Sequence, residues 1–296
     1  MTTADLDVFE AHRPLLVAHA YRMLGDLSRA EDMVQDAWLR WSGRRVDVES
    51  PRAYLVTLVT RLCFTELTSA KTRHEESRSD RLPEPIDLDE GGIGRVEVLD
   101  RVSMAFLVVL QRLTPAERAV LLLREVFDFD YKDIAALVGK SEAACRKLLE
   151  RARKHVTEEK RLFSASPEAH RRLLAAFTDA ASAGNIEALV GLLAEDAVMV
   201  TDGGAEGRRA GGIRNLQAPL KGAARIAAFV AATARSMRLE SEVHELNGQP
   251  ALVFYHEGAP FAALLLAVAD DRIHRVFFHA DLGRLRYLGS RVARRL

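Results

Sequence analysis

The segment SEAACRKLLERARK, residues 141–154, combines basic side chains with helical spacing. Apolar residues recur every three or four positions along it, which leaves Arg146, Lys147, Arg153 and Lys154 on the outward face. Guanidinium groups can donate two parallel hydrogen bonds to guanine, and ammonium groups bind phosphate oxygens. The chemistry that these side chains suit is contact with DNA, and the alternative is a solvated helix face without a partner.

The residues before this segment complete the plan of a helix-turn-helix. Tyr131 to Val138 is helix-like with one apolar side, and Gly139 suits the left-handed backbone at a helix end. Ser141 predicts an N-cap for the basic helix, because its hydroxyl can accept a hydrogen bond from an early backbone N–H. In a helix-turn-helix the second helix enters the major groove of DNA.

Length, charge and cysteine content bound the class of protein. The chain has 296 residues, enough for two or three domains. Lysine plus arginine equals aspartate plus glutamate, at 42 each, and this neutral balance argues against a nonspecific polyanion binder. Cys63 and Cys145 have no companions at metal-ligand spacing, so we expect no metal site, no disulfide and no cofactor. No signal-peptide pattern or membrane-length apolar run is present, so we expect a cytoplasmic protein without a membrane partner.

The chain divides into two helical blocks, a linker between them and a mixed third block. The linker is rich in charge, Pro and Gly, which is typical of a flexible tether, whereas its LPEP motif favours an extended path that could dock as a strap. The predicted segments are, in order, residues 1–79 (helical), 80–94 (linker), 95–164 (helical) and 167–296 (mixed).

Capping residues predict helix starts in both helical blocks. Ser28 with Glu31 predicts a capping box for the second helix, and Thr114 with Glu117 predicts another. Ser50, followed by a proline, predicts the start of the third helix because proline is favoured at the first helical position.

In the third block the hydrophobic period changes from helix to strand. Two helices with stop signals at Gly184 and Asp196 come first, followed by segments with the alternation of strands and by one further helix among them. Asp270 and Asp271 predict a hairpin turn between the last two strands. Helices followed by a bent antiparallel sheet predict a separate α+β domain.

The two helical blocks resemble an extracytoplasmic-function (ECF) sigma factor of the sigma-70 family. The resemblance rests on YRMLGDLSRAEDMVQDAWLRW, then SPRAYLVTLVTRL, then LTPAERAVLLLREVFDFDYKDIAALVGKSEAACRKLLERARK, in that order. It implies that the first block binds core RNA polymerase and opens the −10 promoter element, while the second block reads the −35 element. The implied partners are bacterial RNA polymerase core and promoter DNA.

The resemblance also implies roles for three sets of residues. An acidic helix face speeds docking on an oppositely charged polymerase surface, and unstacked promoter bases need aromatic or guanidinium planes. The implied polymerase-binding residues are Asp32, Gln35, Asp36 and Trp38; the −10 residues are Arg44, Arg45, Arg52, Tyr54 and Arg61; the −35 residues are Ser141, Arg146, Lys147, Arg151 and Lys154. The alternatives are a solvated acidic face and a core position for the tyrosine.

The third block resembles a SnoaL-like domain of the NTF2-like superfamily, a cone of helices and sheet carried by sigma factors of the SigJ type. LPEP in the linker, DGG at residues 202–204 and NGQP at residues 247–250 agree with that group, although Arg81 replaces a tryptophan often found before LPEP and Arg208 is displaced from its usual place after DGG. The predicted architecture is two all-α sigma domains followed by an α+β NTF2-like cone. A tethered domain acts at high effective concentration, so we expect regulation in cis. The predicted regulatory interface is Pro83, Pro85, Asp202, Gly203, Gly204, Asn247, Gly248, Gln249 and Pro250.

Catalysis by the third block is a less favoured alternative. SnoaL-type folds include enzymes that transfer protons through an Asp/His pair, for which the candidates are Asp202, His244, His256 and His279. Turn formation and packing account for these residues more simply, so we expect no catalytic residues and favour a small-molecule ligand in the cone over turnover. Two rival functions stay open: a repressor or activator that works without polymerase, and a metabolic enzyme fused to a DNA-binding module.

Overall fold

The computed structural model describes residues 3–43, 48–69, 81–87, 103–163, 165–203, 209–210, 213–214, 216, 218–236 and 239–289. These residues belong to two compact units. The described part of the first unit comprises residues 3–43, 48–69 and 107–159, and that of the second comprises residues 81–87, 103–106 and those from 160 onward.

The first unit is helical. Its elements are α1 (Thr3–Leu24), α2 (Leu27–Ser42), α3 (Pro51–Thr68), residues 107–112 of α4 (Met104–Arg112), α5 (Pro115–Glu125), α6 (Tyr131–Val138) and α7 (Glu142–Glu159). The first three helices pack on one another around Tyr21, Trp41 and Leu55, which are fully buried. Burial of each such side chain stabilises the fold by roughly 1.5–3 kcal/mol.

Two of the predicted helix starts are confirmed. The Thr114 hydroxyl accepts a hydrogen bond from the Glu117 N–H, and the Glu117 carboxylate accepts one from the Thr114 N–H at 3.0 Å, which completes a capping box at the start of α5. The Ser50 hydroxyl caps α3 one residue before its first proline.

The capping box predicted at Ser28 is wrong. Asp26 caps α2 instead, because its carboxylate accepts a hydrogen bond from the Arg29 N–H at 3.0 Å. Gly25 ends α1 with a φ of 68°, so the chain has already turned before Asp26, which takes the extended backbone that an N-cap requires. Glycine adopts this φ without the steric cost that a Cβ would add, so α1 ends here and α2 begins at Leu27, before the serine.

The two helical blocks pack directly on each other. The Arg118 guanidinium on α5 donates a hydrogen bond to the Met23 carbonyl near the end of α1, and is itself buried. The His19 ring of α1 meets Phe127, in the loop after α5, edge to face with centroids 4.9 Å apart. The hydrogen bond from Arg118 and the aromatic contact of His19 thus join the two helical blocks, which the linker separates in the sequence.

His19 is a neutral histidine in the core of this unit. Its Nε2 lies 2.7 Å from Thr60 Oγ1, and that hydroxyl donates to the Val56 carbonyl. Nε2 therefore carries the proton and donates to the hydroxyl. Burial, aided by the charge of Arg22, lowers the pKa of His19 to about 3, so the ring stays uncharged near neutral pH.

The second unit is an α+β domain with a six-stranded sheet. Its helices are α8 (Pro167–Ser182), α9 (Ile186–Leu192) and α10 (Ala223–Ser236), after a 3-10 turn at Lys160–Phe163. In spatial order the strands are β4 (Leu220–Lys221), β1 (Leu193–Asp202), β8 (Arg272–His279), β7 (Ala259–Ala269), β6 (Gln249–His256) and β5 (Glu240–Leu246), and β2 (Arg209–Ala210) pairs separately with β3 (Ile213–Arg214).

The two faces of the six-stranded sheet have different partners. Leu252, Leu264 and Val276 pack with apolar side chains of α8, α9 and α10 in one core cluster. Side chains alternate between faces along a strand, so Asp202 and His244 belong to the opposite face. That second face carries the polar groups that meet the linker.

Two sequence predictions for this unit need correction, one strand was not predicted, and one predicted turn is confirmed. The sheet is mixed and not antiparallel, because β1 runs parallel to β8. These two strands are the first and the last of the domain, so they are far apart in sequence. The helix predicted to stop at Asp196 ends at Leu192, since the following residues begin β1. Strand β5 escaped prediction because charged residues interrupt its pattern. The predicted hairpin turn is confirmed, with φ of 50° at Asp270 and 55° at Asp271, as in a type I′ turn.

Candidate nucleic-acid interface and linker strap

Helices α6 and α7 form the helix-turn-helix. Gly139 ends α6 with a φ of 65° and a ψ of 40°, and the Ser141 hydroxyl accepts a hydrogen bond from the Ala144 N–H at 3.2 Å. The buried face of α7 consists of Cys145, Leu148, Leu149 and Ala152. Burial raises the pKa of the Cys145 thiol, which fits a packing role for it.

The cations predicted to face the −35 element are exposed on α7. Arg146 donates to Glu142 at 3.0 Å within the helix, Lys154 lies 4.0 Å from Glu158, and Lys147 is exposed between them. These pairs are solvent-facing, so each holds its side chain only weakly and leaves it available to a phosphate or a base.

Arg151 has a different setting from its neighbours. Its Nε lies 2.9 Å from Glu117, the residue that completes the α5 capping box. Burial would raise the pKa of Glu117, but hydrogen bonds from Thr114 and the charge of Arg151 hold it below its usual value. Arg151 therefore ties α7 to α5 as well as presenting a cation on the exposed surface.

Of the residues implied for the −10 element, the structure describes three. Tyr54 is 38% exposed with its ring 5.8 Å from the Trp41 ring, so it lies at the edge of the core with part of the ring on the surface. The Arg52 guanidinium lies 5.9 Å from the Phe127 ring, and Arg61 is exposed. Arg44 and Arg45 lie outside the described residues.

The residues that the resemblance implies for polymerase binding are on the outer side of α2. Asp32, Gln35 and Asp36 are exposed, whereas Trp38 is half-buried with its ring 5.0 Å from that of Phe9. One residue that the sequence reasoning missed is Leu39, which is 62% exposed on the same helix. An exposed leucine beside carboxylates gives this face both apolar and acidic character, which is common at protein interfaces.

The linker residues 81–87, here called the linker strap, lie against the second face of the sheet. Residues 82–87, including Pro83 and Pro85, are buried. The Leu82 N–H donates to the Asp202 carboxylate at 2.9 Å, and the Ile86 N–H donates to Asn247 Oδ1 at 3.1 Å. In return the Asn247 N–H donates to the Ile86 carbonyl at 2.9 Å.

Further polar contacts hold the Asp87 end of the strap and the first residue of α4. Asp87 lies 3.1 Å from His244 Nδ1, and His244 Nε2 lies 2.9 Å from the Tyr255 hydroxyl, all within the interior. The Met104 N–H donates to Gln249 Oε1 at 3.2 Å.

Arg284 adds a buried cation to the strap site. Its guanidinium donates to the Leu82 carbonyl and lies 3.9 Å from Asp202. The sequence reasoning missed Asp87, Tyr255 and Arg284, because their partners are remote in sequence and no motif marks them. Asp87 lies two residues after LPEP, and that position was the only available signal.

The turn motifs named from the sequence serve this arrangement. Asn247 and Gly248 have φ of 50° and 64° and form the β5–β6 turn, which aims the Asn247 side chain at the strap. Pro250 is buried at the start of β6. Gly203 follows Asp202 at the end of β1, whereas Gly204 lies outside the described residues.

The candidate proton-transfer residues include one pair of neighbours, Asp202 and His279, but neither ring nitrogen of His279 makes a hydrogen bond within the described residues. Asp202 is on β1 and His244 is on β5, four strands away, which is roughly 19 Å at the usual strand spacing. His279 lies beside Asp202, but burial and the nearby Arg284 lower the pKa of His279 to about 3. His256 is exposed near the Phe261 ring. Asp202 and His244 instead bind the strap.

Among the described residues, no group of three or more His, Cys, Asp or Glu side chains is arranged to hold a metal ion. No helix in the described ranges is long and apolar enough to cross a bilayer. The small-molecule ligand expected for the cone stays a prediction.

Comparison with known families agrees with this geometry. Residues 8–73 match the model for sigma-70 region 2, and residues 103–156 match that for sigma-70, region 4. The first match contains α2 and α3 with the exposed acidic face, and the second contains the helix-turn-helix. These are the two segments that the sequence resemblance rests on, and together they define a sigma-70-type protein.

Curated relatives narrow the class further. The ECF RNA polymerase sigma factor SigJ of Mycobacterium tuberculosis (strain ATCC 25618 / H37Rv) is 38% identical over 202 residues, which is 67% of this chain and 65% of that protein. The ECF RNA polymerase sigma factor SigG of Mycobacterium tuberculosis (strain CDC 1551 / Oshkosh) is 31% identical over 309 residues, covering 92% of this chain and 80% of that protein. The chain belongs to the ECF RNA polymerase sigma factors.

A solved structure supports the same architecture over nearly the whole chain. The crystal structure of Mycobacterium tuberculosis SigJ matches 95% of this chain and 98% of its own, with a TM-score of 0.71 and 26% sequence identity. The predicted order of two helical sigma domains followed by an α+β domain is confirmed, and the SnoaL-like and NTF2-like character of the last domain stays a prediction.

Proposed function

We propose that this protein is a cytoplasmic RNA polymerase sigma factor that directs promoter-specific initiation and is regulated in cis by its C-terminal domain, without enzymatic activity. The observation that carries the proposal is the presence, in one chain, of an exposed acidic and apolar face on α2 and a capped basic recognition helix, α7. A repressor that works alone would need the basic helix and would have no use for the α2 face.

The α2 face is proposed to dock on core polymerase. Asp32 and Asp36 steer the approach to a basic surface, and Leu39 supplies apolar area that water leaves on contact. Steering by charge raises the association rate more than the final affinity. Trp38 is half-buried against Phe9 and stiffens the helix at this face.

The two DNA-facing sets are proposed to read different promoter elements. Arg146 and Lys147 would enter the major groove at the −35 element, where arginine discriminates guanine by roughly 1–3 kcal/mol and lysine adds phosphate affinity. Arg52 and Tyr54 lie at the surface of the block assigned to the −10 element, where stacking on a tyrosine stabilises an unpaired base by roughly 1–3 kcal/mol.

Promoter binding requires the helical blocks to separate. Elements at −35 and −10 are roughly 25 base pairs or 85 Å apart at 3.4 Å per pair, whereas a compact unit of about 130 residues has a radius of gyration near 14 Å. The contacts of Arg118 with Met23 and of His19 with Phe127 must therefore break in the promoter complex.

Through the strap, the C-terminal domain binds part of the linker that joins the two helical blocks. Residues 81–87 lie between the two sigma regions in sequence, and Asp202, Asn247 and Arg284 bind them. While the strap is docked, fewer linker residues are free to extend between the blocks. We propose that docking restrains the open arrangement and that strap release permits it.

The test is binding of the full chain to bacterial core polymerase, measured by fluorescence anisotropy, followed by footprinting on promoter DNA. The proposal expects core binding that Asp36→Lys weakens and −10 melting that depends on core. Tight binding of the free protein to duplex operator DNA, together with no affinity for core, would favour the repressor or activator instead. Turnover of a small molecule by the protein would favour the enzyme fusion.

A further inference from the structure

Tyr131, the first residue of α6, contacts two arginines of the helix-turn-helix unit. The guanidinium carbon of Arg146 lies 4.7 Å from the centre of the tyrosine ring, and that of Arg124 lies 5.3 Å from it. Both distances are within the range of a cation–π contact. The ring thus joins the recognition helix α7 to α5 through the side chain expected to read DNA.

Acidic groups let two cations share one ring. Arg124 lies 3.3 Å from Asp128 and 3.9 Å from Asp130, and it also donates to the Phe129 carbonyl at 2.8 Å. These exposed carboxylates offset part of its charge, and the hydrogen bond to the Phe129 carbonyl holds the guanidinium in place. Arg124 therefore supports the Tyr131 ring from the α5 side. Arg146, by contrast, keeps more than half of its side chain exposed.

The setting of Arg146 combines exposure with restraint. Its guanidinium donates to Glu142 at 3.0 Å within the same helix, an exposed pair that alone contributes little. The aromatic ring adds a flat surface against which the planar guanidinium can lie, and arginine is suited to stacking of this kind. A long side chain is then limited to few rotamers before it meets DNA.

We propose that Tyr131 is a positioning residue for Arg146, setting the guanidinium for one guanine of the −35 element. This inference rests on the proposed function, because it assumes that Arg146 reads that element. A two-bond contact to guanine depends on the orientation of the guanidinium plane, so a restraint on that plane raises base selectivity more than general DNA affinity. Tyr131 itself need not touch DNA.

The test uses holoenzyme made from the full chain and core polymerase, with a promoter library randomised across the −35 element. Open complexes are selected and sequenced to give the base preference at each position. We expect Tyr131→Leu to lower the preference at one position by about 2- to 5-fold, the size of an exposed cation–π contact. Tyr131→Phe keeps the ring and should keep the preference.

A mutant cycle separates positioning from a merely structural role. Arg146→Ala should remove the preference at that same position, and adding Tyr131→Leu to it should cause no further loss there. Lys147→Ala is the matched control, and its effect should combine independently with that of Tyr131→Leu. Tyr131→Gln is a second variant without the ring, so the test does not depend on the folding of Tyr131→Leu alone. Thermal melting shows whether each variant is folded.

The outcomes distinguish this inference from the proposed function. If Arg146→Ala changes one position and both ring-removing variants leave it unchanged, positioning by Tyr131 is wrong and the sigma assignment stands. Equal weakening at all −35 positions by folded Tyr131→Leu would likewise overturn positioning. If Arg146→Ala alters no base preference, the assigned role of Arg146 fails, and the inference fails with it.

Discussion

Replacement of Asp202 by alanine should make the linker strap open more often from the C-terminal domain. The carboxylate accepts the Leu82 N–H at 2.9 Å in the interior and lies 3.9 Å from the buried Arg284 guanidinium. A hydrogen bond to a charged group contributes about 1.5–3 kcal/mol. Taking ~2 kcal/mol, the opening equilibrium of the strap shifts by roughly 30-fold.

Hydrogen exchange measures this shift directly, because the Leu82 amide is the donor. Its protection should fall about 30-fold in Asp202→Ala. The Ile86 amide, which donates to Asn247, should lose protection together with it if the strap opens as one piece. Asp202→Asn keeps an acceptor and loses the charge, so it should have a smaller effect.

Asp271→Asn is the matched control, since it removes an exposed carboxylate 2.5 Å from Arg172 on the same domain. It should leave strap exchange unchanged. Wild-type protection of both Leu82 and Ile86 in a folded Asp202→Ala protein would refute the role assigned to this carboxylate.

Two further predictions concern the helical unit. Leu39→Asp should weaken binding to core polymerase at least tenfold, because burial of a leucine contributes roughly 1.5–3 kcal/mol. Leu282→Asp changes another half-exposed leucine and is the control. Equal affinities of the two variants for core polymerase would contradict docking through the α2 face. His19 has a folded pKa of about 3 against an ordinary 6.5, so the unfolded chain binds the extra proton: its contribution is complete above pH 6.5 and is lost as pH falls towards 3. The unfolding free energy, measured from denaturant unfolding by tryptophan fluorescence, should be about 1.4 kcal/mol lower at pH 5.5 than at pH 7.5 because of this group. His19→Gln should remove most of that difference, and an unchanged pH dependence in the variant would count against the role of His19.

Local chemistry made the helical unit largely predictable from sequence. Thr114 with Glu117, Gly139 and Ser141 act through partners a few residues away, and they form the predicted caps and turn. The failure at Ser28 is also local, since Asp26 offered a competing cap after the glycine turn. Asp26 and Ser28 are both acceptable N-cap residues, and the helix starts at the one that directly follows the glycine turn.

The contacts that could not be predicted from the sequence join residues that are far apart along the chain. Asp87 meets His244 across 157 residues, and Arg284 meets Leu82 across 202, so no periodicity marks either contact. The parallel pairing of β1 with β8 is of the same kind. The motifs LPEP, DGG and NGQP indicated an interface, and the structure supplies their hydrogen-bond partners, whereas the regulatory meaning of that interface stays a prediction.

The most direct test of the central claim is transcription by core polymerase reconstituted with the full chain on a promoter library. The account predicts transcripts that require the protein and share −35 and −10 sequences, with output from those promoters changed by Asp202→Ala. Failure of the full chain and of Asp202→Ala alike to give core polymerase any promoter selectivity would contradict the claim.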